Sequence, residues 1–392
     1  MLSVLVKARK SLGRIAVGLA ALALAACQPV GGPSAGGPSI DTSVAVPVAL
    51  LVPSGSGQAS DELLARSLQN AARLAISDLG SVKIDLRVYN TAGQPAQAQA
   101  MAIKAMDEGA KIILGPVFAQ EANAAGVAAA ARGINVLAFS NNPDIAGGNV
   151  FILGPTFDNT AARLGSFAVR QGKRKIMIVH DQNTAGLLGR TAIEQGVARS
   201  GGSVVAVGSY EFSQNGVVSA APKIAAAAKA NGADALFLTA DTAGALPLIS
   251  QLLADNGMGP AVTQFIGLTR WDIPQPTLAL PGVQGAWFAL PDPALYQQYQ
   301  SRYQTAFGEA PHPISGLAYD GIAAIGALVK QGKSNALSGA ALTQGAGFVG
   351  VNGIFRLRSD GQNERGLAVA QIRNNQVVII DAAPRSFGGA GF

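Results

Sequence analysis

Residues 44–79 read VAVPVALLVPSGSGQASDELLARSLQNAARLAISDL, and this stretch decides the fold class. The apolar run Val44–Val52 predicts a buried β-strand, and Ser60–Leu79 predicts a helix that follows a Gly/Ser loop. Ser60 can cap this helix, because its hydroxyl can accept from the free amides of the first turn. Four apolar residues at helical spacing form the stripe expected to face the sheet: Leu64, Leu68, Ala71 and Ala75.

The same alternation of strand and helix continues along the chain. Further strands are predicted at Val82–Tyr89, Lys111–Leu114, Ile134–Phe139, Lys175–His180, Ser203–Val207, Ala235–Thr239 and Gln264–Leu268. Helices are predicted between them at Pro95–Glu108, Gln120–Arg132, Asn159–Gln171, Leu187–Ser200, Val217–Ala230 and Thr242–Asp255. Strands joined in this way form parallel sheets with helices on both faces, so the sequence predicts an α/β protein.

The alternation is interrupted near Leu153-Gly154-Pro155-Thr156 and resumes at Lys175, which predicts two Rossmann-like lobes with a cleft between them. The remaining segments are a strand over Val283–Leu290 and helices over Pro293–Phe307 and Ile314–Gln331. A closing hairpin is predicted from Gly353–Leu357, Leu367–Ile372 and Val377–Ile380, with its turn at Ser359-Asp360-Gly361.

The N-terminus reads as a secretory signal. Basic residues precede an uncharged, mostly apolar run over residues 15–26, which is shorter than the roughly 20 residues of a membrane span. The run ends at Leu24-Ala25-Ala26-Cys27, which resembles the lipobox of bacterial lipoproteins. That resemblance implies cleavage before Cys27 and lipidation of its thiol. Gln28–Ser43 is rich in Pro, Gly and Ser and is predicted to be a flexible tether.

Composition excludes several kinds of chemistry. Four positive and no negative charges lie in residues 1–26, so the formal net charge of +6 falls to +2 after cleavage. A chain with so small a net charge gives no electrostatic reason to expect nucleic-acid binding. Cys27 is the only cysteine, and His180 and His312 are the only histidines. We therefore expect no metal site, no cofactor and no catalytic centre. Gly55-Ser56-Gly57 lacks the third glycine and the acidic partner of a dinucleotide-binding loop.

In parallel α/β sheets, ligands meet the loops beyond the carboxyl ends of the strands, which identifies the candidate binding residues. Turn formation explains each of them equally well when taken singly. In the first lobe the rule selects Ser54, Ser56, Asn90, the segment Val117–Gln120 with Gln120 as its candidate, Ser140, Asn141 and Asn142. In the second lobe it selects Asp181, Asn183, Asp241, Thr242, Arg270 and Trp271. Arg270-Trp271 is the strongest pair, because it places a cationic fork beside an aromatic ring.

The chain over about 44–380 resembles the leucine-binding-like, type I periplasmic binding proteins. The matching motifs are Val48-Ala49-Leu50-Leu51-Val52-Pro53, Leu114-Gly115-Pro116, Ile178-Val179-His180-Asp181 and Tyr319-Asp320-Gly321. The resemblance implies three crossovers between the lobes. It places lobe 1 at 44–155 plus about 285–340, lobe 2 at 156–284 plus about 341–381, and a tail at 382–392.

The family contains two functional branches. Receptors of ABC importers bind amino acids with a serine, a threonine and an acid, but those positions fall at Ala119, near Asp144 and near Gly244 here, although a small shift makes Asp241 the acid. The other branch comprises penicillin-binding protein activators, which the chain resembles at residues 89–95, 233–238 and 353–357. We therefore expect a non-catalytic, lipid-anchored regulator that binds a peptidoglycan synthase. The alternative is the receptor of an ABC permease for a small polar solute.

Gln28 follows the lipidated cysteine, and the absence of aspartate there resembles outer-membrane sorting in a cell with two membranes. In a cell with one membrane the argument reverses, because the lipid anchor would then keep an importer receptor near its permease. The expected location is therefore the periplasmic face of a membrane, reached through the lipid.

Overall fold

The structure is a computed structural model that describes residues 37–388, so Cys27 and the signal sequence lie outside the described residues. The strands are β1 Val46–Val52, β2 Ile84–Asn90, β3 Ile112–Leu114, β4 Val136–Ala138, β5 Val150–Ile152, β6 Lys175–Asp181, β7 Ser203–Tyr210, β8 Ala235–Leu238, β9 Gln264–Gly267, β10 Trp287–Leu290, β11 Phe348–Gly350, β12 Gly353–Leu357, β13 Asn363–Arg365, β14 Ala368–Arg373 and β15 Gln376–Asp381. The helices are α1 Ala59–Asp78, α2 Pro95–Asp107, α3 Ala119–Ala130, α4 Phe157–Arg170, α5 Thr184–Arg199, α6 Gln214–Ala230, α7 Leu246–Leu253, α8 Pro293–Phe307, α9 Gly316–Val329 and α10 Gly339–Leu342.

Lobe 1 is built on a five-stranded parallel sheet in the order β2-β1-β3-β4-β5. Alternate residues of β1 enter different cores: Leu50 packs with α1, α8 and α9, whereas Leu51 packs with α2 and α3. Both faces of the sheet are therefore covered, as the uninterrupted apolar run of β1 predicts. The predicted stripe of α1 is buried in this core.

Lobe 2 is built on a seven-stranded sheet in the order β15-β14-β10-β9-β8-β6-β7, in which β14 and β15 run antiparallel to their neighbours. Met177 of β6 packs with α6 and α7, and Ile178 packs with α4 and α5. The α/β prediction of two parallel-sheet lobes is confirmed. Among residues 37–388, no helix combines the length and hydropathy needed to cross a membrane.

Two parts of the predicted topology need correction. Trp287–Leu290 pairs with β9 and β14, so it belongs to the second sheet and not to lobe 1 as the boundary near 285 implied. Gly353–Leu357 pairs with β11 and β13 in a separate three-stranded sheet and makes no pair with β14. Phe348 and Phe355 of this small sheet are buried in the core of lobe 1. The segment therefore packs on lobe 1 and not on lobe 2.

The end of the predicted tether is also part of the folded body. Ile40 is buried in the core of lobe 1, and its amide donates to the Ser334 carbonyl at 2.8 Å. An isolated apolar residue in a Gly/Pro/Ser segment carries no periodicity, so sequence patterning missed this contact. The folded chain therefore starts before residue 44, on the surface of lobe 1.

The segments that connect the lobes meet at a buried ion pair. The Nη1 atom of Arg365 lies 3.1 Å from Oδ2 of Asp320 in α9, and the two side chains are 3 % and 0 % exposed. The same guanidinium donates from Nε to the Leu153 carbonyl at 2.9 Å, in the segment that leaves lobe 1 for α4. Asp320 in turn accepts from the Val351 amide at 2.8 Å. One ion pair thus joins α9 to two of the connecting segments.

Replacing Asp320 by Asn should lower the free energy of unfolding by about 3–5 kcal/mol, because Arg365 would remain buried without a counter-charge. Urea denaturation followed by circular dichroism measures this loss. As the matched control, Asp360→Asn removes an exposed partner of Arg358 and should cost less than about 1 kcal/mol. Equal small losses in the two variants would contradict the role given to the buried pair.

Candidate functional site

A cavity of about 330 Å³ lies between the lobes. Lobe 1 contributes Asn141 and Leu317, lobe 2 contributes Leu268 and Thr269, and the connecting segments contribute further residues that include Pro155 and Pro291. The wall is mainly apolar with a few polar groups, which is typical of small-molecule sites. Because both lobes contribute to it, the cavity depends on their relative position.

The polar groups of this cavity differ in their freedom to bind. Arg270 is engaged by Asp272, which accepts from its Nε at 2.6 Å, and Arg365 is held by Asp320. The Oγ1 atom of Thr269 is buried and has no hydrogen-bond partner. A buried polar atom without a partner costs free energy. Because solvent does not reach Oγ1, the Thr269 side chain, which lines the cavity, would have to rotate to offer its hydroxyl to a ligand.

Several predicted site residues stabilise local turns. Ser54 donates to Glu62 at 2.6 Å, and the hydroxyl of Ser56 accepts from the Gln58 amide at 3.1 Å. The other residues of this kind are Ser140, which accepts from the Asn142 amide, Asn142, which accepts from the Asp144 amide, and Asn183, which caps α5. Ser54 thus uses its only donor locally, whereas the four side chains that accept in these turns keep an O–H or NH2 donor with which they could bind a ligand.

The predicted Arg270-Trp271 pair does not form a cationic fork beside an exposed ring. Trp271 has no exposed surface, and its indole donates to the Ala240 carbonyl at 3.2 Å inside the lobe 2 core. A Cβ added at Gly267 would lie 2.4 Å from the indole, so the glycine makes room for the ring. The sequence predicts that this ring contacts a ligand, but sequence position alone cannot distinguish the two directions in which a side chain can point after a strand.

The remaining predicted residues stand at the rim of the cleft. Asn90, Gln120 and Asp241 are exposed, and Thr242 donates to the Ile273 carbonyl at 2.7 Å. Asp181 is buried at the end of β6, and burial raises the pKa of its carboxyl, as does the nearby charge of Asp241. The structure thus brings Asp181 and Asp241 into one part of lobe 2.

Two exposed aromatic side chains lie at the same rim: Phe118 belongs to the predicted segment Val117–Gln120, whereas sequence reasoning missed Phe212. Phe118 lies just before α3 and is 40 % exposed, and Phe212 follows β7 and is 60 % exposed. Thr269, which follows β9, was also missed. Phe212 and Thr269 each come within two residues of a strand end, so the strand-end rule applies to them as well. Within residues 37–388, no group of carboxylate, histidine or cysteine side chains is arranged to hold a metal ion.

Glu121 lies in the first turn of α3, behind the rim of lobe 1. The residue is fully buried, and neither carboxylate oxygen has a hydrogen-bond partner. Burial is the main cause that raises the pKa of Glu121. The folded state therefore holds a proton in a pH range where the unfolded chain has released it, and stability falls as pH rises through that range.

Replacing Glu121 by Gln should therefore stabilise the protein at pH 7 by about 1–3 kcal/mol, because the buried charge is removed. This advantage should shrink as pH falls towards the ordinary pKa of a glutamate. Urea unfolding of both proteins between pH 4 and pH 8 measures the effect, with the exposed Glu309→Gln as control. A constant difference across this range would show that Glu121 does not titrate as described.

Comparison with known proteins identifies the family and the fold. The family model described as Periplasmic binding protein matches residues 45–376. No curated protein matches the chain. Among solved structures, a putative branched-chain amino acid ABC transporter protein from Rhodospirillum rubrum has a TM-score of 0.72 and 18% identity, covering 86% of this chain and 100% of its own.

Two further structures carry bound ligands. An ABC transporter substrate-binding protein from Desulfitobacterium hafniense in complex with Leu has a TM-score of 0.63 and 16% identity, covering 86% of this chain and 100% of its own. A solute-binding protein of an ABC transporter from Rhodopseudomonas palustris BisB5, in complex with 3,4-dihydroxybenzoic acid, has a TM-score of 0.57 and 18% identity, covering 87% of this chain and 98% of its own. At these identities the likeness concerns the fold.

Proposed function

Because the chain belongs to the periplasmic binding protein family, whose members are non-catalytic binding proteins, we propose that it is the solute receptor of an ABC importer. The solute would occupy the cavity between the lobes, and a membrane permease would receive it. This reverses the order of the two roles expected from the sequence, since the structural relatives are named as ABC transporter proteins.

The observation that carries the proposal is the cavity with the unpartnered Thr269 hydroxyl. About 330 Å³ is near the lower end of the range for small-molecule sites. This size suits a solute comparable to leucine or dihydroxybenzoate, which the relatives bind. The few uncharged polar side chains in the mainly apolar wall, Asn141, Thr160, Thr269 and Asn352, would orient such a molecule, and the apolar surface would supply most of the binding free energy.

Binding would act through the position of the lobes. The cavity wall includes Asn141 and Leu317 on one side and Leu268 and Thr269 on the other, so a bound solute would favour the arrangement in which both sides touch it. A ligand shifts such an equilibrium only by its difference in affinity for the two arrangements. Closure on the solute would thereby present a distinct surface to the permease.

A thermal-shift screen tests this function on the purified protein. Saturation at about one hundred times the Kd adds about 2.7 kcal/mol of stability, which is readily detected. We expect a clear rise in Tm with at least one small solute among amino acids, amines, aromatic acids and amides. A flat response throughout would contradict the receptor function and would favour the regulator of peptidoglycan synthesis, which stays a prediction.

Replacing Thr269 by Val should weaken binding of the solute found in that screen about fivefold to tenfold, because one hydrogen bond is lost. The free protein should be as stable as the parent or more so, since an unpartnered polar atom is removed. Isothermal titration and urea unfolding measure the two quantities. Unchanged affinity together with lower stability would assign Thr269 a structural role only.

We also propose that lipidated Cys27 anchors the protein. Residues 28–36 join Cys27 to the described body at Gly37 and reach at most about 35 Å. Since Ile40 packs on lobe 1, the anchor would hold that lobe near the membrane. Labelling of cells with an alkyne-modified palmitate should mark the protein and spare the Cys27→Ser variant, and equal labelling of both would contradict the anchor.

A further inference from the structure

The rim of the cleft is strongly acidic, although the whole chain has a formal net charge of +6. Here the rim means the segments that follow the strand ends, residues 53–62, 91–94, 115–121, 139–144, 181–186, 211–216, 239–245 and 268–273. They contain one basic residue, Arg270, which is paired with Asp272. Apart from Asp272 and the buried Glu121, their carboxylates are Asp61, Glu62, Asp144, Asp181, Glu211 and Asp241.

Each lobe places an exposed phenylalanine near one of these carboxylates. In lobe 1, a Cβ added at Gly93 would lie 3.7 Å from the ring of Phe118 and 3.9 Å from Oδ2 of Asp61. In lobe 2, a Cβ added at Gly244 would lie 3.2 Å from the ring of Phe212 and 2.7 Å from Oδ1 of Asp241. Each lobe therefore carries an exposed phenylalanine with a carboxylate nearby, in the loops that follow its strand ends.

We propose that the solute is an organic cation, an amine or a quaternary ammonium compound with an apolar part. This inference rests on the proposed receptor function and names the class of its solute. Aromatic faces attract ammonium groups, and neighbouring carboxylates strengthen the attraction. Acidic walls on both sides also raise the local concentration of cations in the cleft and speed their association.

The same features disfavour an anion. A bound carboxylate needs a cationic or strongly donating partner when water is removed. Arg270 and Arg365 are the guanidinium groups that line the cavity, and each is already neutralised, by Asp272 and Asp320 respectively. Asp61 and Glu62 lie in the first turn of α1, where the positive end of the helix dipole stabilises carboxylates. Asp241 precedes α7 by several residues, so the helix dipole does not explain why a carboxylate is placed there.

A panel sorted by charge tests the proposal on the purified protein at pH 7.4 and low salt. The cations are phenethylamine, choline, putrescine and agmatine, the zwitterions are leucine and phenylalanine, and the anions are benzoate and 3-phenylpropionate. Isothermal titration should give a cation as the tightest ligand, at least about tenfold tighter than any zwitterion or anion, with affinity that falls as salt rises. A zwitterion or anion as the tightest ligand would overturn the cation class and leave the receptor function intact. Absence of binding by every compound would overturn both.

Two variants then locate the cation. Asp241→Asn and Phe212→Leu should each raise the Kd of the tightest cation about tenfold, and the first should also reduce the salt dependence. Asp255→Asn, which removes an exposed carboxylate beyond α7, is the matched control and should leave the Kd unchanged. Because Asp241 and Phe212 are exposed, Tm should remain near that of the parent. Unchanged affinity in Asp241→Asn would contradict the proposed site.

Discussion

The ion pair between Arg365 and Asp320 determines how the two lobes are joined. Both side chains are almost completely removed from solvent, so neither charge can find a substitute partner in water. Arg365 also donates to the Leu153 carbonyl, and Asp320 also accepts from the Val351 amide. These hydrogen bonds fix the chain where it crosses between the lobes. Arg365 also lines the cavity between the lobes, so the shape of the proposed solute site depends directly on this interaction.

The pair also shapes the electrostatics of the site. A guanidinium at the base of a cleft would ordinarily attract anions, but Asp320 cancels its charge, and Asp272 does the same for Arg270. What remains at the rim is a set of carboxylates beside two exposed phenylalanines. The cavity wall is thus mainly apolar and its two guanidinium groups are neutralised, while the loops beyond the strand ends are acidic, which favours a solute with a cationic end and an apolar body.

The architecture was predictable from sequence to a large extent, because strand and helix periods are local properties. The apolar run of β1 and the stripe of α1 correctly predicted a parallel sheet covered on both faces. The position of Ile40 and the partners of β10 and β12 were not predictable, since they depend on contacts between segments distant in the chain. The binding site was harder to predict than the fold: the strand-end rule selects loops, yet it could not show that Trp271 points into the core while Phe212 remains exposed.

Ligand-induced closure of the lobes tests the central claim most directly. With Cys27 replaced by Ser, spin labels can be placed uniquely at Val127 of lobe 1 and Val218 of lobe 2, which are 65% and 47% exposed. Double electron–electron resonance then gives the distance distribution between the lobes, with and without a saturating amount of the solute that stabilises the protein most. We expect the mean distance between the labels to shift and the distribution to become narrower when the solute binds. An identical distribution with the solute bound would contradict a receptor that works by closing its lobes.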